Sequence, residues 1–198
     1  MIVGLETARL ILKPLELADA SHTQRLFAHW EVLRFLTEKV PWPYPEDGAL
    51  SYYRDIALPA IARGDEWHSS IRLKTDPHEL IGCASLSKGE EENRGFWLGL
   101  SWQNQGFMSE VADVITDFWF NELGFSVMRV SKAVANTASR RISAKNGMRI
   151  VAVDERNYVA GRFAAEVRET TAEEWQIHRA QTRGTNHFGR AAAAKLLI

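Results

Sequence analysis

A single cysteine, Cys83, stands in a chain of 198 residues. It can form no intrachain disulfide, and neither a cysteine-based metal site nor any other metal centre is expected. No apolar run approaches the roughly 18 residues of a membrane-spanning helix. The opening Met1-Ile2-Val3-Gly4-Leu5-Glu6 lacks a basic stretch followed by an apolar one, so no secretory signal is read. A cytoplasmic protein with no membrane partner is therefore expected. Neither sign of charge dominates: 24 Lys and Arg stand against 25 Asp and Glu. That balance lacks the basic excess of most nucleic-acid binders, and no nucleic-acid partner is expected. Two familiar phosphate motifs are also missing, since no Gly-Lys-Ser/Thr and no Gly-x-Gly-x-x-Gly follows a strand-like run. Internal repeats and domain linkers are absent.

What is present is bulk. Seven Trp and nine Phe supply a sizeable core, and the length suits one domain. We assign that domain to residues 1–181. Residues 182–198 form a tail rich in Gly, Ala and basic residues, without periodicity before Ala191–Leu197. It reads either as disordered or accessory or as a short docking helix.

Turn residues and hydrophobic periodicity divide the chain. Arg9 to Pro14 is a strand. A helix follows, capped by Asp19 or Ser21, with Leu26, Phe27 and Trp30 on its apolar face. Pro41-Trp42-Pro43-Tyr44-Pro45 excludes helix interior and central strand. A second helix fits Glu46 to Ala62, stopped by Gly64. Strands Trp67–Lys74 and Glu79–Leu86 meet at a turn around Asp76-Pro77. After the polar, acidic stretch Lys88–Arg94 come a strand over Gly95–Leu100, a helix from Gly106 to Leu123 ended by Gly124, and a strand over Val127–Val134. A short helix Asn136–Asn146 ends at Gly147. Strands Arg149–Asp154 and Phe163–Glu169 follow, and the capping-box pattern Thr171-Ala172-Glu173-Glu174 starts a last helix. Three strands before the central helix argue for a mixed α/β sheet of the α+β kind rather than a doubly wound parallel one. The strand–helix–strand unit from Phe96 to Val134 should be a right-handed crossover.

The segment Gln103-Asn104-Gln105-Gly106-Phe107-Met108-Ser109-Glu110 is the most informative. It joins a strand to a helix through a polar turn containing Gly106. The first N–H groups of a helix have no internal partner, and the helix dipole adds partial positive charge at that end. A diphosphate can be held there by main chain alone. Gly106 alone also fits a plain tight turn. A second motif stands in Asn136-Thr137-Ala138-Ser139 and runs on to Gly147. Asn136 sits where a strand hands over to a helix. It can cap the helix, or cap it while offering amide donors to a peptide-like ligand.

Together these stretches resemble the GNAT superfamily of acetyl-CoA-dependent N-acetyltransferases, in particular the RimJ/RimL-like branch of ribosomal-protein N-terminal acetyltransferases. The likeness runs from Leu5-Glu6-Thr7-Ala8-Arg9-Leu10 to about Trp175. The family's Gln/Arg-x-x-Gly-x-Gly/Ala motif reads Gln103-Asn104-Gln105-Gly106-Phe107-Met108, with Met108 in place of the last small residue. Its later motif is met by Asn136, Ser139 and Gly147. The resemblance implies the acyl-CoA N-acyltransferase fold: about seven strands, flanking helices, and a central parallel pair, Gly95–Leu100 and Val127–Val134, that splay apart. It implies acetyl-CoA as co-substrate and transfer to a primary amine, either a small-molecule amine or the α-amine of a peptide or protein. Many relatives are homodimers. The implied cofactor-binding residues are Leu98, Gly99 and Leu100 for the amide-rich arm, Gln103, Asn104, Gln105, Gly106, Phe107, Met108 and Ser109 for the diphosphate, and Asn136 and Ser139. Arg140 or Arg141, at the start of the helix after Asn136, either reaches a phosphate or is an exposed charge.

Acetyl transfer needs an amine that loses a proton, donors for the oxyanion, and a proton for the thiolate. Many family members carry a Tyr seven residues after the Asn; here that position is Ser143. The ribosomal-protein branch is similar in having a Ser three residues after the Asn, which implies Ser139 as the group nearest the sulfur, with Ser143 second. Ser139 also fits a residue that only caps the helix. Glu92, beside Glu90 and Glu91, is the candidate base, though a run of acidic residues also fits a solvated loop. His68 is an outsider for the same role. Trp42, Tyr44, Tyr52 and Tyr53 are candidates to wall the acceptor pocket or to pack the early helices. An acyl-CoA-binding sensor or interaction module without turnover is the alternative, because the Tyr position is lost.

Overall fold

The computed structural model describes residues 4–182, so the tail expected from residue 182 lies outside the described residues except for Thr182. The first sheet holds five antiparallel strands in chain order: β1 (Leu5–Glu6), β2 (Leu10–Pro14), β3 (Glu66–Leu73), β4 (Asp76–Ser87) and β5 (Arg94–Leu98). Between β2 and β3 run the helices α1 (Ala20–Phe27), α2 (Trp30–Leu33), α3 (Gly48–Tyr52) and α4 (Leu58–Arg63), the last two joined by a π-helical turn over Tyr53–Ala57. The first expected helix is thus divided, and Trp30 lies on a separate turn. The second ends where expected, with Gly64 left-handed at φ 73°.

After β5 the chain enters α5 (Phe107–Asp117), crosses to β6 (Val127–Ala133), and continues through α6 (Thr137–Lys145), β7 (Arg149–Tyr158) and β8 (Gly161–Thr171). These last three strands form a second antiparallel sheet in the order β6-β8-β7. Residues 172–182 are helical. The capping box is realised there, since Thr171 N–H donates to Glu174 Oε2 at 2.8 Å and Glu174 N–H to Thr171 Oγ1 at 3.2 Å. Among the described residues no helix is long and apolar enough to cross a membrane.

The expected mixed sheet is therefore divided at one seam, with eight strands where about seven were anticipated. The seam is stitched at its base. Asn93 N–H donates to Arg129 O at 2.8 Å, and Asn93 Oδ1 accepts the Arg129 N–H at 2.8 Å. Beyond that point β5 pairs only with β4 and β6 only with β8, so the two parallel strands diverge into a wedge.

Two apolar layers cover the first sheet. On one face Leu12, Ile71, Ala84 and Leu98 pack against Phe107, Met108, Val111 and Ile115 of α5. These helix positions fall on one stripe. On the other face Cys83 and Leu80 pack with Ala20, Ala49, Tyr53 and Ala57 of the early helices. Ala84 and Cys83 point to opposite layers, as strand alternation requires. Gly82 has a tighter reason for its identity: a Cβ there would stand 2.3 Å from Trp97 O.

A buried cation ties β5, α5 and α6 together. Arg94 is 1% exposed and donates to Thr116 Oγ1 at 2.7 Å and Asn146 Oδ1 at 2.8 Å. Burial lowers its pKa to about 10. Its charge is met by neutral oxygens, with Asp113 one hydrogen bond further away through Asn146 Nδ2 at 2.6 Å.

Candidate active site

A cleft of about 750 Å³ opens over the wedge, within the size range of cofactor sites. Its floor is the seam between β5 and β6. One wall is the loop from Gln103 into α5 and the start of α6; the other comes from residues 31–37 and the end of β7.

The α5 wall is made by main chain. Gly106 caps the helix in the left-handed region at φ 80°, which a side chain adopts only with strain. Asn104 shares that geometry at φ 60°. Ser109 N–H and Glu110 N–H turn back to Gly106 O at 3.1 and 3.4 Å. The N–H groups of Asn104 to Met108 donate to no acceptor among the described residues. The free donors thus lie one residue earlier than the expected stretch ending at Ser109. Gln103 fastens the loop to its strand by donating from Nε2 to Leu98 O at 3.0 Å.

The loop is held from outside by the chain's own beginning. Arg9 donates from Nε to Glu110 Oε1 at 2.6 Å and from Nη2 to Gln105 O at 2.9 Å, and its guanidinium lies 4.2 Å from the Phe107 ring centre. Thr7 Oγ1 donates to Glu110 Oε2 at 2.6 Å. Burial pushes the Glu110 carboxyl up, but the hydrogen bonds from Thr7 and Arg9 outweigh it and hold its pKa below the usual carboxylate value. The opening Thr7-Ala8-Arg9 served only as a family marker in the sequence. Its partner lies about a hundred residues away, so no local pattern could have exposed the clasp.

Asn136 caps α6, its Oδ1 accepting Ser139 N–H at 3.2 Å. Its amide NH₂ has no partner among the described residues, so the cap and a free donor coexist. Ser139 is 8% exposed and lines the cleft. Of the expected residues, Leu98, Gln103, Asn104, Gly106, Phe107, Met108, Ser109, Asn136, Ser139 and Glu92 all border this space.

Several candidates sit elsewhere. Gly99 N–H is used by Ile81 O at 2.9 Å, and Leu100 begins a short 3-10 turn. Gln105 turns its side chain to Ser101 O at 2.7 Å. Arg140 points to Glu166 and to Val134 O, leaving Arg141 and Lys145 as the α6 cations at the cleft. Ser143 is fully buried, and its hydroxyl has no partner among the described residues; it lies off the cleft lining. Glu92 is bordered by donors: Arg156 Nη1 at 3.3 Å and Ser131 N–H at 3.3 Å. These contacts tie Glu92 across the seam while it still borders the cleft. His68 is buried and bonded to Glu66 Oε2 at 2.5 Å, outside the cleft. Trp42, Tyr44, Tyr52 and Tyr53 do not reach it either: Tyr53 lies in the second core and Trp42 packs on Trp30.

The far wall was not foreseen. Val159 N–H and Ala160 N–H donate to Leu36 O and Arg34 O at 3.0 Å each, so the turn after β7 is knitted to the segment following α2. Phe35 and Tyr158 both meet Phe163 there. Tyr158 lines the cleft, and its buried hydroxyl has no partner among the described residues. Burial, reinforced by Glu92, raises its pKa to about 12, so it remains a donor at neutral pH.

Comparison with known proteins gives a consistent picture. A model of the acetyltransferase (GNAT) domain matches residues 9–149. An uncharacterized N-acetyltransferase of Bacillus subtilis (strain 168), YoaA, is 30% identical over 153 residues, covering 72% of this chain and 81% of that protein. Among solved structures, the ribosomal-protein-S5-alanine acetyltransferase of Vibrio fischeri superposes with a TM-score of 0.73 at 14% identity, covering 88% of this chain and 99% of its own. RimL, a ribosomal L7/L12 α-N-protein acetyltransferase in complex with coenzyme A, superposes at 0.71 with 16% identity, over 85% and 98% of the two chains.

Proposed function

The chain belongs to the GNAT acetyltransferase family and is an acetyl-CoA-dependent N-acetyltransferase, and we propose that it acetylates a primary amine, the α-amine of a peptide or protein or a small-molecule amine, by direct attack on the thioester. The observation that carries this reading is the wedge between β5 and β6 with unpaired main-chain donors at its mouth.

The residues present suit such a co-substrate. A Cβ at Gly106 would fill the turn towards Arg9 Nη2, 3.4 Å away. N–H groups from Asn104 to Met108 offer an anion cradle at a helix start, and Arg141 and Lys145 face the same space. The open edge of β5 suits an amide-rich chain that pairs like an added strand. Acetyl-CoA supplies an acyl group already activated as a thioester. Holding it against the amine therefore accounts for much of the rate. Ser139 borders the cleft beside the capped Asn136 and is the proposed proton source for the departing sulfur. Tyr158 and Phe35 line the side from which the amine would enter.

Two measurements test this. Calorimetric titration with acetyl-CoA should show binding. Thiol release should then appear with one class from a panel of peptides varied at the first residue, polyamines and aminoglycosides. Binding without turnover across the whole panel would remove the amine assignment, and absence of binding would remove the site.

A further inference from the structure

On the walls of the wedge one amine is left over. Lys132 on β6 lines the cleft and has no hydrogen-bond or ion-pair partner among the described residues. Its Nζ lies 5.4 Å from the centre of the Phe96 ring on β5, so the side chain spans the gap between the diverging strands. Phe96 and Leu98 share one face of β5, about 7 Å apart along the strand at two residues' rise. The flexible four-carbon stem of a lysine covers that distance by rotamer change. Lys132 therefore shares one cleft with Leu98 and the Gly106 loop, the proposed cofactor seat, and lies within a side-chain's reach of it.

Its surroundings leave it reactive. Burial lowers its pKa to about 8, opposed by Glu92 and assisted by Arg94. Glu92 is itself engaged by Arg156 and Ser131 N–H. Across the ladder Glu166 faces Lys132 in register, but Arg140 and Arg168 hold its carboxylate. From β7, Arg156 is bound to Glu91 and Asp154, and Tyr158 remains neutral. Among the described residues no carboxylate hydrogen-bonds or ion-pairs with the ammonium, and the lowered pKa favours the free amine as pH rises.

We propose that Lys132 is an internal acetyl acceptor, modified by bound acetyl-CoA when no amine occupies the cleft. This rests on the cofactor seat described above. The neutral Nζ forms a C–N bond to the acetyl carbon as the C–S bond breaks. Coenzyme A leaves as the thiol with one amine proton, and Lys132 ends as an uncharged acetamide in the wedge.

The test needs only the whole protein and acetyl-CoA. After incubation without an acceptor, intact-mass measurement should show one added acetyl group, and peptide mapping should place it on Lys132. The rate should rise with pH through about 8 as the ammonium deprotonates, and excess free coenzyme A should suppress it. Lys132→Arg keeps a cation but offers no free amine, and it should gain no acetyl group while still binding acetyl-CoA. Calorimetric binding with no acetylation of Lys132 overturns the inference and leaves the cofactor seat standing. Absence of binding overturns both. Acetylation spread over exposed lysines at equal rates, or unaffected by coenzyme A, overturns the inference as well.

Discussion

The two walls of the cleft are made from different materials. The α5 wall is main chain: a left-handed glycine, a helix start and a row of free N–H groups, all within seven consecutive residues. The opposite wall is side chain and strand end, assembled from residues 31–37 and 156–158, over a hundred positions apart. The first wall needs one glycine and a helix to exist. The second exists only because the turn after β7 bonds to the backbone at Arg34 and Leu36. A wall made of backbone donors does not depend on the side chain at Met108 for its N–H groups. A pocket made of side chains changes its ligand with each substitution.

That contrast can be broken at the floor both walls share. Arg94→Ala should leave Thr116 and Asn146 without their donor and open a cavity, costing about 3–5 kcal/mol of stability. Denaturant unfolding measures this, and a loss below 1 kcal/mol would mean the seam is held by other contacts. The main-chain wall is struck by Gly106→Val. A β-branched residue at that φ carries strain, and acetyl-CoA affinity should fall on the order of 100-fold. Titration calorimetry checks it, with circular dichroism confirming that the fold survives. Normal affinity would misplace the cradle.

Smaller effects sharpen the division of labour. Ser139→Ala should lower turnover about tenfold or more if its hydroxyl assists the sulfur, while acetyl-CoA affinity stays level. Unchanged turnover would leave Ser139 as a helix-cap neighbour only. Arg9→Ala loosens the clasp from outside. Arg9 is about half exposed, so the expected loss in acetyl-CoA affinity is only about threefold. The same clasp has an acid limb. The Glu110 pKa lies below the ordinary 4.5, so its contribution is complete above that value and disappears as pH falls through the lowered one. Acid titration of wild type against Arg9→Ala should show the two stabilities converging as pH falls below the ordinary carboxylate value and through the lowered one.

The sequence exposed those features whose cause is local. Gly64, Gly106, Gly124 and Gly147 end or start helices where expected, because a left-handed turn selects glycine within a few residues. The Thr171–Glu174 box and the Asn136 cap are also short-range hydrogen bonds. Features with distant partners were not legible. Arg94 looked like the end of an acidic loop and is a buried tie between three elements. Glu92 reads as a candidate base, and no local pattern shows that the strand edge at Ser131 and the guanidinium of Arg156 also contact its carboxylate. Arg140 and Arg141 are neighbours of one type, and only the position of Glu166 on β8 turns Arg140 away and leaves Arg141 at the cleft.

By itself the amino-acid order determined the strand–turn–helix with free main-chain donors at its turn, since backbone donors at a helix start need no remote partner. Only the tertiary structure decided which side chains see the wedge. Strand pairing sets which residues oppose one another and which charges find partners, and it brings Glu166 to Arg140 and Arg168 while leaving Lys132 without an ion pair among the described residues.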